Sequence, residues 1–336
     1  MTEPDVLDRI VERIHTGTSF LVSSHIRIDG DGIGSALAVD LLLRSLGKKS
    51  VVVTHGRIPH VFDFLPGIDR AVNLEDTPDA RPPDDLDTFF IVDVADANRL
   101  GDVRGLVPRE LFTVSIDHHP TGDIGADLEY CDPAASSTGE LIYLLLKRGN
   151  FSIDKDIATA IYTAVITDTQ GFSLPNTTPT SLHVAGEMVA CGAEPGAIGD
   201  RVYRSRQPGQ LALWANVASR LRLDADGKLA WSSLTDEMLE RHGVHANDTQ
   251  DLTDVARMLE GVEVGVLFRE RPAGAGVRVS LRSNHIPILP VAEKFGGGGH
   301  ALACGCELKG KLADVEQRVL DEVRSVLGAA TSGGTP

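Results

Sequence analysis

An α/β fold built on a parallel sheet is what this chain predicts, and three observations carry that reading. Short apolar runs at 19–24 (SFLVSS), 51–54, 88–92 (TFFIV) and 111–116 (LFTVSI) have the length of buried strands. Longer segments with helical spacing lie between and after them, and strands alternating with helices make a parallel sheet covered on both faces. The third observation is length: 336 residues exceed one ordinary core and predict a second, smaller α/β domain.

The elements follow in order. Val6, Ile10, Val11 and Ile14 have the spacing of a helix over 5–15. The first strand, 19–24, ends at His25. Gly30, Gly32 and Gly34 predict a loop, and 35–46 (SALAVDLLLRSL) predicts an apolar helix closed by Gly47. The second strand is 51–54. The third, 88–92, ends at Asp93, and the fourth, 111–116, ends at Asp117. Helices are expected over 138–147 and 157–167. Glycines and prolines from Gly192 to Gly209 then break the pattern. Strand-like runs return at 229–232, 262–268 and 277–281. A helical stretch follows, then Gly296 to Gly299 and His300, and an amphipathic helix over 312–327. The expected organisation is a catalytic domain over 1–192, a helical linker over 193–222, a substrate-binding domain over 223–330 and a disordered tail over 331–336.

Composition narrows the function. The net charge is −16 and no Lys/Arg-rich tract is present, so a grip on long duplex nucleic acid is not expected. A short or small substrate, met by local positive charge, fits better. No apolar run of about 18 residues exists, so no membrane span is expected. The acidic start Thr2-Glu3-Pro4-Asp5 lacks the basic and apolar regions of a signal peptide. The 4 cysteines make no disulfide framework, and the expected location is cytoplasmic.

The chemistry concentrates at strand ends, where open parallel sheets bind their ligands. His25-Ile26-Arg27-Ile28-Asp29-Gly30-Asp31 offers an imidazole and two carboxylates on a glycine-rich turn; the same aspartates could instead cap a helix. Asp93 closes its strand and could be a turn residue. Asp117-His118-His119 offers ligands and a group to orient them, or alternatively a polar surface turn. Asp168 ends an apolar helical run, where the helix dipole disfavours a carboxylate and a cation would explain it. One metal needs about four to six ligands, so a set this rich points to two. Paired divalent ions are a general device for breaking phosphate esters. In the second half, Arg278 and Arg282 would share one face of a strand. The run Gly296 to Gly299 could approach a phosphate by its backbone or serve as a linker. Cys304 and Cys306 are expected as small buried residues, and Trp214 and Trp231 as packing residues.

HIRIDGD, IVDVAD, SIDHH and AVITDTQGF, in that order and followed by FGGGGHALACG, resemble the motifs of the DHH phosphoesterase superfamily with its DHH-associated C-terminal domain. That superfamily includes RecJ nucleases, family II pyrophosphatases and NrnA-type nanoRNases. The compact length and the pair SLRSN and GGGGH are similar to the NrnA branch. The resemblance implies that His25 and Asp29 hold one Mn²⁺, that Asp31, His118 and Asp168 hold another, and that Asp93 bridges them, with Mg²⁺ or Co²⁺ as substitutes. It implies that His119 faces the substrate phosphate and that Asp117 supports the histidines. Arg282, Ser283, Asn284, Gly297, Gly298, Gly299 and His300, with Arg278 as a weaker candidate, would hold the terminal nucleotide. The implied activity is hydrolysis of short oligoribonucleotides and linear dinucleotides such as pApA to mononucleotides. Removal of the 3′-phosphate of pAp, and cleavage of cyclic dinucleotides in some members, accompany it. A homodimer is the implied assembly. The competing readings are a RecJ-like exonuclease, a pyrophosphatase-like enzyme and a non-catalytic nucleotide-binding regulator.

Overall fold

The computed structural model describes residues 5–332 except 109, 121, 123, 225, 272 and 273; the side chains of 250, 251 and 330–332 are also outside the description. It divides into two compact units, Met1–Ser205 and Arg206–Pro336. The segment read as a linker contributes one helix to each.

The first unit runs α1 (Val6–Thr16), β1 (Ser19–Ser23), α2 (Gly30–Ser45), β2 (Lys49–Thr54), β3 (Val72–Asn73), β4 (Thr88–Val92), α3 (Val103–Leu106), β5 (Phe112–Asp117), β6 (Leu128–Cys131), α4 (Thr138–Arg148), α5 (Lys155–Asp168), α6 (Pro179–Ala190) and α7 (Pro195–Arg204). Its six strands pair in the order β3-β2-β1-β4-β5-β6, each pair parallel. The short edge strands β3 and β6 were not expected from the sequence. Side chains alternate across the sheet. Phe20, Val22, Phe90 and Val92 pack with the apolar faces of α1, α2, α4 and α5. Leu21, Phe89 and Ile91 face the other way, onto Leu74, Leu100 and Val103. Both faces are therefore covered, but long helices cover only one.

The glycines expected to form a loop instead open α2. Asp29 is the N-cap, its Oδ1 accepting from the Gly32 N–H at 3.0 Å. Glycine costs a helix about 1 kcal/mol per residue, so packing must favour it here. A Cβ at Gly34 would lie 2.6 Å from the Ala160 carbonyl oxygen, and one at Gly30 would lie 2.4 Å from Thr167. At Gly34 the missing side chain lets α2 meet the backbone of α5, and at Gly30 it leaves room for the side chain of Thr167.

The second unit runs α8 (Pro208–Ser219), β7 (Arg222–Leu223), β8 (Leu229–Leu234), α9 (Asp236–His242), a 3₁₀ segment (Ala246–Met258), β9 (Val264–Glu270), β10 (Val277–Ser283), α10 (Leu289–Lys294), β11 (Gly298–His300), β12 (Ala303–Leu308) and α11 (Leu312–Ser332). Its mixed sheet has the order β11-β12-β10-β9-β8-β7, in which only β8 and β9 pair in parallel among the described residues. Val264, Val266, Phe268, Val279 and Leu281 bury against Val291, Val315, Val319 and Val323. The opposite face packs Leu213 and Val217 of α8 with Leu234, Leu239 and Leu267. The glycine run is not a free loop. Gly298, Gly299 and His300 form β11, paired with Gly305, Cys304 and Ala303. At Gly299, φ is +136° and a Cβ would meet the Ala303 carbonyl oxygen at 2.7 Å, so glycine is what this edge requires. Cys304 and Cys306 are buried, and burial pushes their thiols up to about 12 and about 11. Trp214 and Trp231 pack against the two cores. The last helix reaches Ser332, past the expected start of the tail; residues 333–336 lie outside the described residues. Among the described residues, no helix is long and apolar enough to cross a membrane.

Candidate metal centre

The strand order reverses direction between β1 and β4, and such a switch point opens a crevice at the carboxyl ends of the strands. His25 follows β1, and Asp93 follows β4 directly. Asp117 ends β5, so His118 and His119 emerge beside them. The first turn of α2 brings Asp29 and Asp31, and the last residue of α5 is Asp168.

The structure collects all of these. His25 Nε2 lies 3.6 Å from Asp29 Oδ2 and 3.3 Å from Asp93 Oδ2. His118 Nε2 lies 3.7 Å from Asp31 Oδ2, 3.7 Å from Asp93 Oδ1 and 3.9 Å from Asp168 Oδ2. The two oxygens of Asp93 thus face two different ligand groups. His119 Nδ1 is 3.7 Å from Asp93 Oδ1 and 2.7 Å from Asp117 Oδ1. Asp117 also accepts from the His118 N–H at 2.8 Å, which fixes the turn between the histidines.

The supports come from neighbouring elements. Asp31 accepts from the N–H groups of Thr138 (2.7 Å) and Gly139 (2.9 Å) at the start of α4, and from Ser35 Oγ (3.2 Å). Thr138 Oγ1 reaches Asp93 Oδ1 at 3.3 Å. Asn176 Nδ2 donates to Asp168 Oδ2 and to the Asp168 carbonyl, both at 3.1 Å, and to the Ser136 carbonyl at 3.0 Å.

The charges are out of balance. Burial, then Asp93, Asp168 and Asp29, pushes the Asp31 carboxyl well above its usual range. Burial also lifts Asp168 to about 7; His118 opposes the rise, while Asp29 and Asp93 add to it. Burial alone would lower His25, but Asp29 and Asp93 raise it to about 9. His119 is raised too, because Asp117 and Asp93 outweigh burial. Crowded carboxylates that hold protons, beside imidazoles that gain them, mark a pocket short of positive charge. The donors fit a divalent cation. His25, Asp29 and Asp93 form one group whose ligand atoms lie within 4.8 Å of one another, and Asp31, His118 and Asp168 form another. His25 Nδ1 is buried without a hydrogen-bond partner among the described residues.

Family models match both units: the DHH family N-terminal domain over residues 19–165 and the DHHA1 domain over 226–329. The bifunctional oligoribonuclease and PAP phosphatase NrnA of Thermus thermophilus is 33% identical over 311 residues, covering 92% of this chain and 90% of that protein. The chain belongs to the DHH family. The NrnA protein of Bacillus subtilis, bearing the same description, is 26% identical over 302 residues, 89% of this chain and 92% of its own length. The crystal structure of an exopolyphosphatase-related protein from Bacteroides fragilis shares the fold. Its TM-score is 0.85 at 24% identity, with 96% of this chain and 97% of that one covered.

The residues proposed from the sequence to bind substrate lie in the second unit of this DHH protein. Arg282 and Arg278 point to the same side of β10, away from the valine and leucine core. Arg282 Nη1 donates to the carbonyl of the preceding Leu281 at 3.0 Å, and its Nε lies 3.9 Å from Asp254 Oδ1. Ser283 is buried and donates to Glu263 Oε1 at 3.1 Å, and Asn284 Nδ2 donates to the Val262 carbonyl at 2.8 Å. Both therefore spend donors on their own unit. Gly297 donates its N–H to the Ala292 carbonyl at 2.8 Å. The sequence reading missed Thr138, Gly139 and Asn176, which support the ligands. The only signal for the first two is a helix start at Ser137-Thr138; Asn176 carries none.

Proposed function

We propose that this DHH protein is a phosphodiesterase that hydrolyses short oligoribonucleotides and linear dinucleotides such as pApA to mononucleotides, and that it removes the 3′-phosphate of pAp. The observation that supports this most directly is the shared aspartate: the two oxygens of Asp93 face two ligand groups, as a paired-metal phosphoesterase requires. The names of the related proteins agree with it.

In this reading His25 and Asp29 would hold one manganese ion, Asp31, His118 and Asp168 would hold the other, and Asp93 would be available to both. Mixed imidazole and carboxylate ligation suits Mn²⁺ better than Mg²⁺, which prefers oxygen. Held there, the ions would supply Lewis acidity at the phosphoryl group. The chain's own residues do the rest. Asp117 fixes the ring of His119 through Nδ1 at 2.7 Å, so that the other ring nitrogen is left for a phosphoryl oxygen. Thr138 and the amides of α4 hold Asp31 and Asp93 in place. Arg282 offers donors for a phosphate or base away from the scissile bond.

A substrate panel tests this. With Mn²⁺, pAp, pApA and RNAs of two to about five residues should be hydrolysed, with turnover falling as length grows and abolished by chelation. Cyclic di-AMP in the same panel decides whether the activity extends to cyclic dinucleotides. Turnover of inorganic pyrophosphate alone, or of long single strands in preference to dinucleotides, would overturn the reading.

A further inference from the structure

Arg99 is a cation beside the ligand cluster that neither the fold nor the ligand set uses. It lies in a short 3₁₀ turn, Ala97–Leu100, just beyond Asp93. The turn is clamped. Asp96 caps it through the Asn98 N–H at 2.7 Å, and the Arg99 N–H donates to the Asp96 carbonyl at 2.9 Å. The Arg99 carbonyl accepts from the N–H of Ile26, the residue after His25, at 2.7 Å. Gly101 closes the turn at φ +58°, so near Ile26 and His55 that a Cβ would lie 2.6 Å from each. The backbone of Arg99 is thus tied to the loop that carries His25.

The side chain is half-buried, and among the described residues no carboxylate or carbonyl engages its guanidinium. The guanidinium is near enough to bear electrostatically on His25, Asp29 and His119 together. A guanidinium held half out of water with its donors unspent, on a rigid turn, is prepared for an anion rather than for the fold. Aspartates that carry metal are committed to the metal, which leaves the substrate as the source of that anion.

We infer that Arg99 binds a non-bridging oxygen of the scissile phosphoryl group. The inference rests on the phosphodiesterase reading above, and it names a residue that touches substrate in the first unit. Arg99→Gln should lower kcat/KM by roughly 10- to 150-fold, the range for a lost charge-assisted hydrogen bond. The loss should be equal for pApA and for bis-p-nitrophenyl phosphate, since both carry the scissile group. Arg99→Lys should recover part of it. Two calorimetric titrations separate this role from a structural one. Mn²⁺ should bind Arg99→Gln as tightly as wild type or tighter, because a repelling charge has gone. AMP should bind the Mn²⁺-loaded variant more weakly than wild type by a similar factor. Wild-type AMP affinity and turnover in Arg99→Gln, or a loss of Mn²⁺ affinity in both variants, would overturn the assignment. If wild type hydrolyses neither ester, the phosphodiesterase reading fails, and the AMP titration still decides the place of Arg99.

Discussion

Asp93 is held at φ +59°, a left-handed conformation that is uncommon outside glycine, while its side chain is buried among imidazoles. Backbone strain and ligand position coincide in one residue, a common pairing at functional sites. Asp93→Ala should abolish turnover at saturating Mn²⁺. Asp93→Gly should be equally inactive, yet in EDTA it should melt higher than Asp93→Ala, because glycine removes a backbone cost of about 1–2 kcal/mol. Calorimetric melting of the two variants checks this, and a lower melting point for Asp93→Gly would refute it. Asn176 gives a second expectation at this scale. Its amide holds Asp168 Oδ2 at 3.1 Å, and loss of such an outer hydrogen bond typically weakens metal binding by about 10- to 100-fold. Asn176→Ala should show that weakening in a Mn²⁺ titration; unchanged affinity would remove Asn176 from the site. Several of the candidate ligands were legible because they stand at the ends of apolar runs: His25 after SFLVSS, Asp93 after TFFIV, and His118 one residue beyond LFTVSI and Asp117. Asn176 and Arg99 were not, since a single polar residue in a loop shows its partner only after the chain has folded.

Among the elements, α2 shows why the glycine pattern misled. Three glycines in five residues read as a loop by propensity, but tertiary contact decides: α5 comes so close that only glycine fits at 30 and 34. Gly34→Ala should gain helix propensity and still lose stability, because its Cβ would meet the backbone of α5. Overpacking of this kind costs about 1–3 kcal/mol, which lowers the melting temperature by several degrees. A melting point at or above wild type would show that the helices can part without cost. Gly299 misled in the same way, with a sheet edge in place of a helix contact. At the other end of the sheet, Asp87 ties α1, β1 and β4 together. It accepts from Thr18 N–H (2.7 Å) and Oγ1 (2.7 Å), from Ser19 N–H (3.2 Å), from Thr88 Oγ1 (2.6 Å) and from Arg13 Nη2 (3.1 Å). Burial works against the ionised form, but the hydrogen bonds from Thr88, Thr18 and Ser19 outweigh it and hold the carboxyl below its usual range. A depressed carboxyl stabilises the fold fully above its unfolded pKa of about 3.9 and loses that contribution as pH falls through the folded value. The melting-point gap between wild type and Asp87→Asn should therefore be full at pH 7 and shrink below about pH 4. A gap independent of pH would mean that Asp87 acts through shape and not charge.

For the whole molecule, a net charge of −16 and a pocket of crowded carboxylates make added cations stabilising. At a free concentration of 100 times its dissociation constant, one bound ion adds about 2.7 kcal/mol. Thermal melts should rise with Mn²⁺, respond less to Ca²⁺, and return to baseline with EDTA. A melt indifferent to Mn²⁺ would count against the metal centre itself. The same centre has a consequence for how the protein is made. Its candidate ligands come from five separate elements, and the last, Asp168, ends α5. Within the sheet, β1 is in register with β2 (Phe20 with Ser50) and with β4 (Phe20 with Thr88), so the central pairing waits for distant sequence to emerge. A chain still on the ribosome, with α5 inside the exit tunnel, lacks one of the candidate ligands, and the set is complete only once about half of the 336 residues have been joined.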